Sequence, residues 1–121
     1  MAILGLGKFF ELGKRVREKL EVEYGIHATL INPRYASAVD EKMLNALSGY
    51  GHKAVITLED GVIDGGFGEK IARFYGTSSM KVLNFGAGKE FVNHVNVKEQ
   101  YFRYRLTPEQ IVSDILEVIK D

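Results

Sequence analysis

The chain contains no cysteine. Disulfides, thiolate catalysis and cysteine-bound zinc or iron–sulfur clusters are thereby excluded, and a reducing compartment fits, with the cytoplasm as the expected location. Net charge is absent too, since 16 Lys and Arg balance 16 Asp and Glu. No global field draws the chain to nucleic acid or to an anionic membrane, so neither is an expected partner, and any charged partner must be met by a local patch. Long hydrophobic runs are also missing. None approaches the ~20 residues that a membrane-spanning helix requires. The brief apolar start, Met1 to Gly7, lacks the basic leader and small-residue cleavage site of a signal peptide. Proline is scarce, at 2 residues. It is scattered with glycine at turns, and no linker, internal repeat or low-complexity tract interrupts the chain.

What is present is the composition of a globular protein. With 121 residues, 45% of them hydrophobic and 26% charged, the expectation is a single domain over 1–121 around one core. The apolar run Ala2 to Leu6 reads as a buried strand that begins with no lead-in, as though cut from something longer. Phe9, Leu12, Val16 and Leu20 then recur at spacings of three and four, which predicts an amphipathic helix closed near Gly25. Ile26 to Asn32 is a second strand, stopped by Pro33. Asp40 is placed to cap a short helix with Met43, Leu44 and Leu47 inward, broken by Gly49 and Gly51.

Lys53 to Leu58 is the third strand. The turn Glu59 to Gly66 follows, leading to a helix with Phe67, Ile71, Phe74 and Tyr75 inward that ends at Gly76. Met80 to Phe85 is the fourth strand, and Gly86 to Leu106 is less regular, with room for one short strand or turn of helix. Thr107-Pro108-Glu109-Gln110 carries the marks of a capping box with proline at the first helical position, ahead of a stripe of Ile111, Ile115, Leu116 and Ile119. Strands alternating with helices predict an α/β fold, a three-layer α/β/α sandwich around a mainly parallel sheet of about five strands.

Two glycine clusters suggest phosphate chemistry. Gly5-Leu6-Gly7 lies between a strand and a helix but lacks the third glycine of a dinucleotide-binding turn, so a plain strand-to-helix turn is the preferred reading. Gly65-Gly66-Phe67-Gly68 precedes a helix, where backbone N–H groups attract anions. Glu59, Asp60 and Asp64 bring three carboxylates to that turn, with no lysine or hydroxyl in P-loop spacing, which disfavours an anion. Carboxylates suit a hard cation, but a solvated acidic loop is the simpler reading. The loop does leave the carboxyl end of a strand, where open α/β sheets place their contact surfaces.

The three histidines, His27, His52 and His94, offer no metal-ligand spacing, and no serine sits in a Gly-x-Ser-x-Gly elbow. Tyr101-Phe102-Arg103-Tyr104-Arg105 interleaves rings with guanidiniums. In a chain without net charge, this pattern favours a subunit contact over RNA.

Several segments, in order and over nearly the whole chain, give a resemblance to a known family. Gly25-Ile26-His27-Ala28-Thr29-Leu30-Ile31-Asn32-Pro33-Arg34-Tyr35 with Asp40 resembles the second strand and Asn-x-Arg-Phe segment of the C-terminal domain of 1-deoxy-D-xylulose 5-phosphate synthases. His52 to Gly61 followed by Gly65-Gly66-Phe67-Gly68 resembles that family's strand, acidic turn and Gly-Gly-Phe-Gly helix start. Lys89-Glu90-Phe91-Val92-Asn93-His94 resembles its Asp-x-Phe-x-x-His. The chain departs from the pattern at Ala36-Ser37-Ala38-Val39 and at Asn93. Transketolase and the β subunits of 2-oxoacid dehydrogenases carry related domains and remain alternatives, as does a free-standing small α/β domain that binds a nucleotide or phosphate.

The resemblance implies a parent transferase that condenses pyruvate with glyceraldehyde 3-phosphate, using thiamine diphosphate and magnesium, and whose product feeds isoprenoid, thiamine and pyridoxal pathways. Both cofactors belong to the preceding domains. Glu59-Asp60-Gly61 has the wrong first residue for a Gly-Asp-Gly magnesium motif, so neither catalysis nor cofactor binding is expected here. It implies instead an assembly module, docked against the pyrimidine-binding domain of a homodimeric parent, with Arg34, Asp40, Glu59, Gly66 and His94 as interface candidates.

Overall fold

The β-branched and aliphatic runs at Ala2–Gly5 (β1), Thr29–Ile31 (β2), Ala54–Glu59 (β3) and Lys81–Gly86 (β4) form one sheet in the computed structural model, in the order β2-β1-β3-β4. Residues 1–6, 9–32, 41–49, 51–59, 67–86 and 105–119 are described. Every pairing is parallel, with Ile3 beside both Leu30 and Ile56, and Ile56 beside Leu83. All four residues of β1 and all six of β3 are buried. That is why β1 reads as an unbroken apolar run, while β3 keeps its two polar residues, Thr57 and Glu59, buried as well.

Helices α1 (Phe9–Tyr24), α2 (Glu41–Gly49), α3 (Phe67–Tyr75) and α4 (Pro108–Ile119) follow the strands. Their apolar stripes divide the core in two. On one face, Phe9, Leu12, Val16 and Leu20 of α1 meet Ile111, Val112 and Ile115 of α4 over Ile3, Ile56, Leu58 and Phe85. On the other face, Leu44 and Leu47 of α2 join Ile71 and Tyr75 of α3 over Ala2, Leu4 and Val55. Successive sheet residues thus feed opposite clusters, and the expected three layers are present. The sheet has four described strands against about five expected. The passage assigned the extra element, Gly86 to Leu106, falls largely outside the described residues.

Strand β2 is shorter than the run that predicted it. Only Thr29–Ile31 pairs, at the edge of the described sheet, while Ile26 and Ala28 pack against the core as half-buried coil. The apolar pattern of 26–32 thus reports core contact, of which only part is ladder.

Helix α1 ends where glycine permits. Gly25 has φ 65°, its N–H donates to the Glu21 carbonyl at 3.1 Å, and that of Ile26 donates to Leu20 at 3.0 Å. This left-handed cap satisfies carbonyls that the helix end would otherwise leave open. Helix α4 starts on its capping box. The Gln110 N–H donates to Thr107 Oγ1 at 3.3 Å, and the Thr107 hydroxyl donates to Gln110 Oε1 at 2.9 Å. At the far end of α4, where the last turn has no basic residue, Lys81 of β4 reaches across and donates to the Val118 carbonyl at 2.8 Å. A strand therefore supplies the cation that a helix C-terminus favours.

The chain leaves β1 toward β2 by α1 on one face, and leaves β3 toward β4 by α3 on the other. A single crossover hand demands this arrangement when the chain moves in opposite directions along the sheet. The switch point is the crevice outside the carboxyl ends of β1 and β3.

Candidate functional site at the switch point of the sheet

Open α/β sheets place ligands and contact surfaces at such a crevice. Its β1 side is closed by backbone. A Cβ on Gly5 would lie 2.9 Å from the Phe9 carbonyl oxygen and from Phe10 Cα, so glycine lets the start of α1 press onto the end of β1. The Leu6 N–H continues the ladder to the Leu58 carbonyl at 2.9 Å. The role of Gly5 is close packing, the plain strand-to-helix reading of the Gly5-Leu6-Gly7 pattern; Gly7 lies outside the described residues.

On the β3 side, Glu59 is only 5% exposed. Its Oε2 accepts from the N–H of Gly68, in the first turn of α3, at 2.7 Å. A buried carboxylate is costly unless it is paired, and here the partner is a helix N-terminus, whose unsatisfied N–H groups carry partial positive charge. A charge-assisted hydrogen bond of this type is worth about 1.5–3 kcal/mol. Glu59 thus caps α3 from nine residues upstream, and the anion position at this helix start is filled by the chain's own carboxylate.

Beneath Gly68 lies a second polar pair. Thr57 is fully buried and is in register with Asn84 on β4. Its hydroxyl donates to Asn84 Oδ1 at 2.6 Å. A Cβ on Gly68 would stand 2.5 Å from Thr57 Oγ1 and 2.7 Å from both Asn84 Cγ and Oδ1. The start of α3 therefore rests directly on this pair.

Of the five interface candidates, the structure describes one. Glu59 faces inward at the switch point, whereas Arg34, Asp40, Gly66 and His94 lie outside the described residues, together with Asp60, Asp64 and Gly65. Thr57, Asn84 and Gly68 escaped sequence reasoning as a cluster. A signal existed: one polar residue interrupts each of the apolar runs Ala54 to Leu58 and Val82 to Phe85.

The described histidines do not join this site. His52 sits at the opposite end of the sheet, where its Nδ1 is 2.8 Å from the Met1 amine, and His27 is exposed beside Glu21. Burial, and then the positive charge of that amine, push the His52 imidazole below its usual pKa; its hydrogen bond to Met1 acts the other way. Among the described residues no three of His, Asp and Glu converge to hold a metal ion. The described residues offer shape and a capped helix start, and among them no nucleophile is paired to a base.

The model for the transketolase C-terminal domain matches residues 1–111. The chain belongs to this family. Among curated relatives of this transketolase C-terminal domain is the 1-deoxy-D-xylulose-5-phosphate synthase of Clostridium tetani, 33% identical over 121 residues. The match takes in 98% of this chain and 19% of that protein. The synthase of Carboxydothermus hydrogenoformans is 34% identical over 119 residues, again with 97% of this chain and 19% of the relative. The domain thus spans about a fifth of the length of the curated relatives it matches. Among solved structures, one described as a split gene transketolase, an inactive β4 tetramer, superposes with a TM-score of 0.80 at 23% identity over 96% of this chain and 38% of that one. That likeness supports the three-layer parallel fold. No helix among the described residues is long and apolar enough to cross a membrane.

Proposed function

We propose that this chain is the non-catalytic assembly and dimerisation domain at the C-terminus of a thiamine-diphosphate-dependent transferase resembling 1-deoxy-D-xylulose 5-phosphate synthase. The parent joins pyruvate to glyceraldehyde 3-phosphate in the cytoplasm, and this piece acts as one unit over 1–121. The observation that carries the reading is the filled switch point. The crevice where an open α/β sheet receives an anionic ligand is occupied by Glu59, and the described residues assemble no acid–base pair there.

Thiamine diphosphate and magnesium do not fit the described residues, since the one buried carboxylate at the crevice is committed to Gly68. On this reading both belong to the preceding domains of the parent. What remains is a docking face toward the pyrimidine-binding domain, for which Arg34, Asp40, Gly66 and His94 are the candidates, with Glu59 holding the start of α3. The same face helps hold the parent homodimer.

Mixing experiments test this directly. The chain alone is expected to leave pyruvate and glyceraldehyde 3-phosphate unreacted when supplied with thiamine diphosphate and magnesium. Added to the two preceding domains of the parent expressed without their C-terminus, it is expected to co-elute with them on size exclusion and to restore condensation. Turnover by the isolated chain, or failure to form the complex, sinks the proposal.

A further inference from the structure

Three inward positions at the carboxyl ends of β3 and β4 are polar where their neighbours are aliphatic. Thr57 and Glu59 follow Val55 on the same face of β3, and Asn84 stands in register with Thr57. Desolvating such groups is unfavourable unless each finds a partner, and fully satisfied buried networks fix one geometry in a way that aliphatic packing does not. We propose that Thr57, Glu59 and Asn84 form a seat that fixes where α3 begins, and so act as positioning residues for the docking face. The positional claim stands on geometry; only its functional consequence rests on the docking reading above.

Gly68 is held from two directions. Its N–H is tied to Glu59 Oε2 at 2.7 Å, and its Cα rests on Thr57 and Asn84 with no space for a methyl group. Thr57 has one hydroxyl proton, and donating it to Asn84 Oδ1 locks the two side chains against each other beneath the helix start. Sliding α3 along the sheet breaks the bond to Glu59, and lowering it collides with the pair. The Glu59 carboxylate thus ties the end of β3 to the first turn of α3. An aliphatic seat would bury as much surface but would leave the helix start free to settle in several positions.

Amide hydrogen exchange measured by NMR on the 15N-labelled chain tests the seat, because it separates local from global opening. In Thr57→Val and in Glu59→Met, protection of the Gly68 amide is expected to fall at least tenfold, while the Ile56 amide in the central ladder changes less than twofold. Thr57→Ser keeps the hydroxyl and is expected to restore Gly68 protection. Glu59→Gln keeps an acceptor and gives an intermediate loss, which serves if the apolar variants fail to fold. Gly68 protection that stays at the wild-type level, or that falls only in step with Ile56, overturns the seat. Affinity for the preceding domains, measured on the same folded variants, is expected to drop tenfold in Thr57→Val and to recover in Thr57→Ser. A wild-type chain that does not bind those domains refutes the docking reading, and the exchange result still decides the seat.

Discussion

Tyr75 of α3 donates its hydroxyl proton to the Leu44 carbonyl of α2 at 2.7 Å in a buried position, which links the two helices on one face of the sheet by a polar contact as well as by packing. The ring is only 4% exposed and meets Phe74 edge-on, with centroids 5.1 Å apart. Burial raises the phenol above its ordinary pKa of 10.0, so the donor keeps its proton throughout the physiological range.

Tyr75→Phe keeps the ring and removes the donor. The expected loss is about 1 kcal/mol, read as a lower midpoint in urea with an unchanged slope. A second signature is alkaline. The folded phenol holds its proton above pH 10 while the unfolded one releases it, so stability falls as pH rises beyond 10. That fall is expected to be shallower in Tyr75→Phe, and equal slopes for the two proteins would remove Tyr75 as its cause.

Two glycines inside helices predict opposite outcomes for the same substitution. At Gly13 the nearest obstacle to a Cβ is the Leu30 methyl Cδ1, at 2.8 Å, with Ile3 and Leu58 at an ordinary 3.5 Å. A half-buried leucine on an edge strand can turn aside, and alanine favours a helix interior by up to ~1 kcal/mol over glycine. Gly13→Ala is therefore expected to be neutral or stabilising in thermal melts. At Gly68 the obstacles are Thr57 and Asn84, bonded to each other, and Gly68→Ala is expected to cost about 1–3 kcal/mol. Equal effects at the two sites would contradict this account of the seat.

The layered fold was legible because its signals are local. Phe9, Leu12, Val16 and Leu20 show a helical stripe, and Thr107-Pro108-Glu109-Gln110 shows a helix start, whatever surrounds them. Glu59 was harder to place. Beside Asp60 and Asp64 it reads as one of three solvated carboxylates, and only the return of α3 over the end of β3 turns it into a buried cap. The seat under Gly68 depends on the register of β3 with β4, which joins residues 27 positions apart and is fixed by the whole sheet. Arg105 is similar: its positive φ of 58° accompanies two bonds to Asp114, at 2.8 and 2.9 Å, that no local pattern announces.

Acid is expected to weaken the fold through the Met1–His52 pair before most carboxylates titrate. Burial lowers the pKa of the Met1 amine from 8.0, and burial together with that amine's charge lowers the pKa of His52 from 6.5. Both groups take up protons more readily when unfolded. Stability is therefore full above the unfolded values and declines as pH falls through 8.0 and then 6.5 toward the lower folded values. Calorimetry at pH 7.5 and 5.5 is expected to show a lower midpoint at the acid value. His52→Gln should reduce that difference, as should acetylation of the amine, which removes its charge. A decline that neither change alters would have to arise elsewhere.

Inorganic phosphate discriminates between the assembly reading and the free-standing anion-binding one. A helix N-terminus at a switch point is a ready anion site, but at α3 the Gly68 N–H is already bonded to Glu59, whose charge repels a second anion at short range. A phosphate ion would have to displace a carboxylate held within the chain itself, which has no entropy of association to overcome. Wild-type chain in phosphate is therefore expected to melt at the same temperature as in a non-coordinating buffer of equal pH and ionic strength. Binding at one hundred times Kd would instead add about 2.7 kcal/mol, a shift of several degrees for a chain of this size. Such a shift, lost in Gly68→Ala, would place the anion at α3 after all and return the acidic turn to the role of a ligand site.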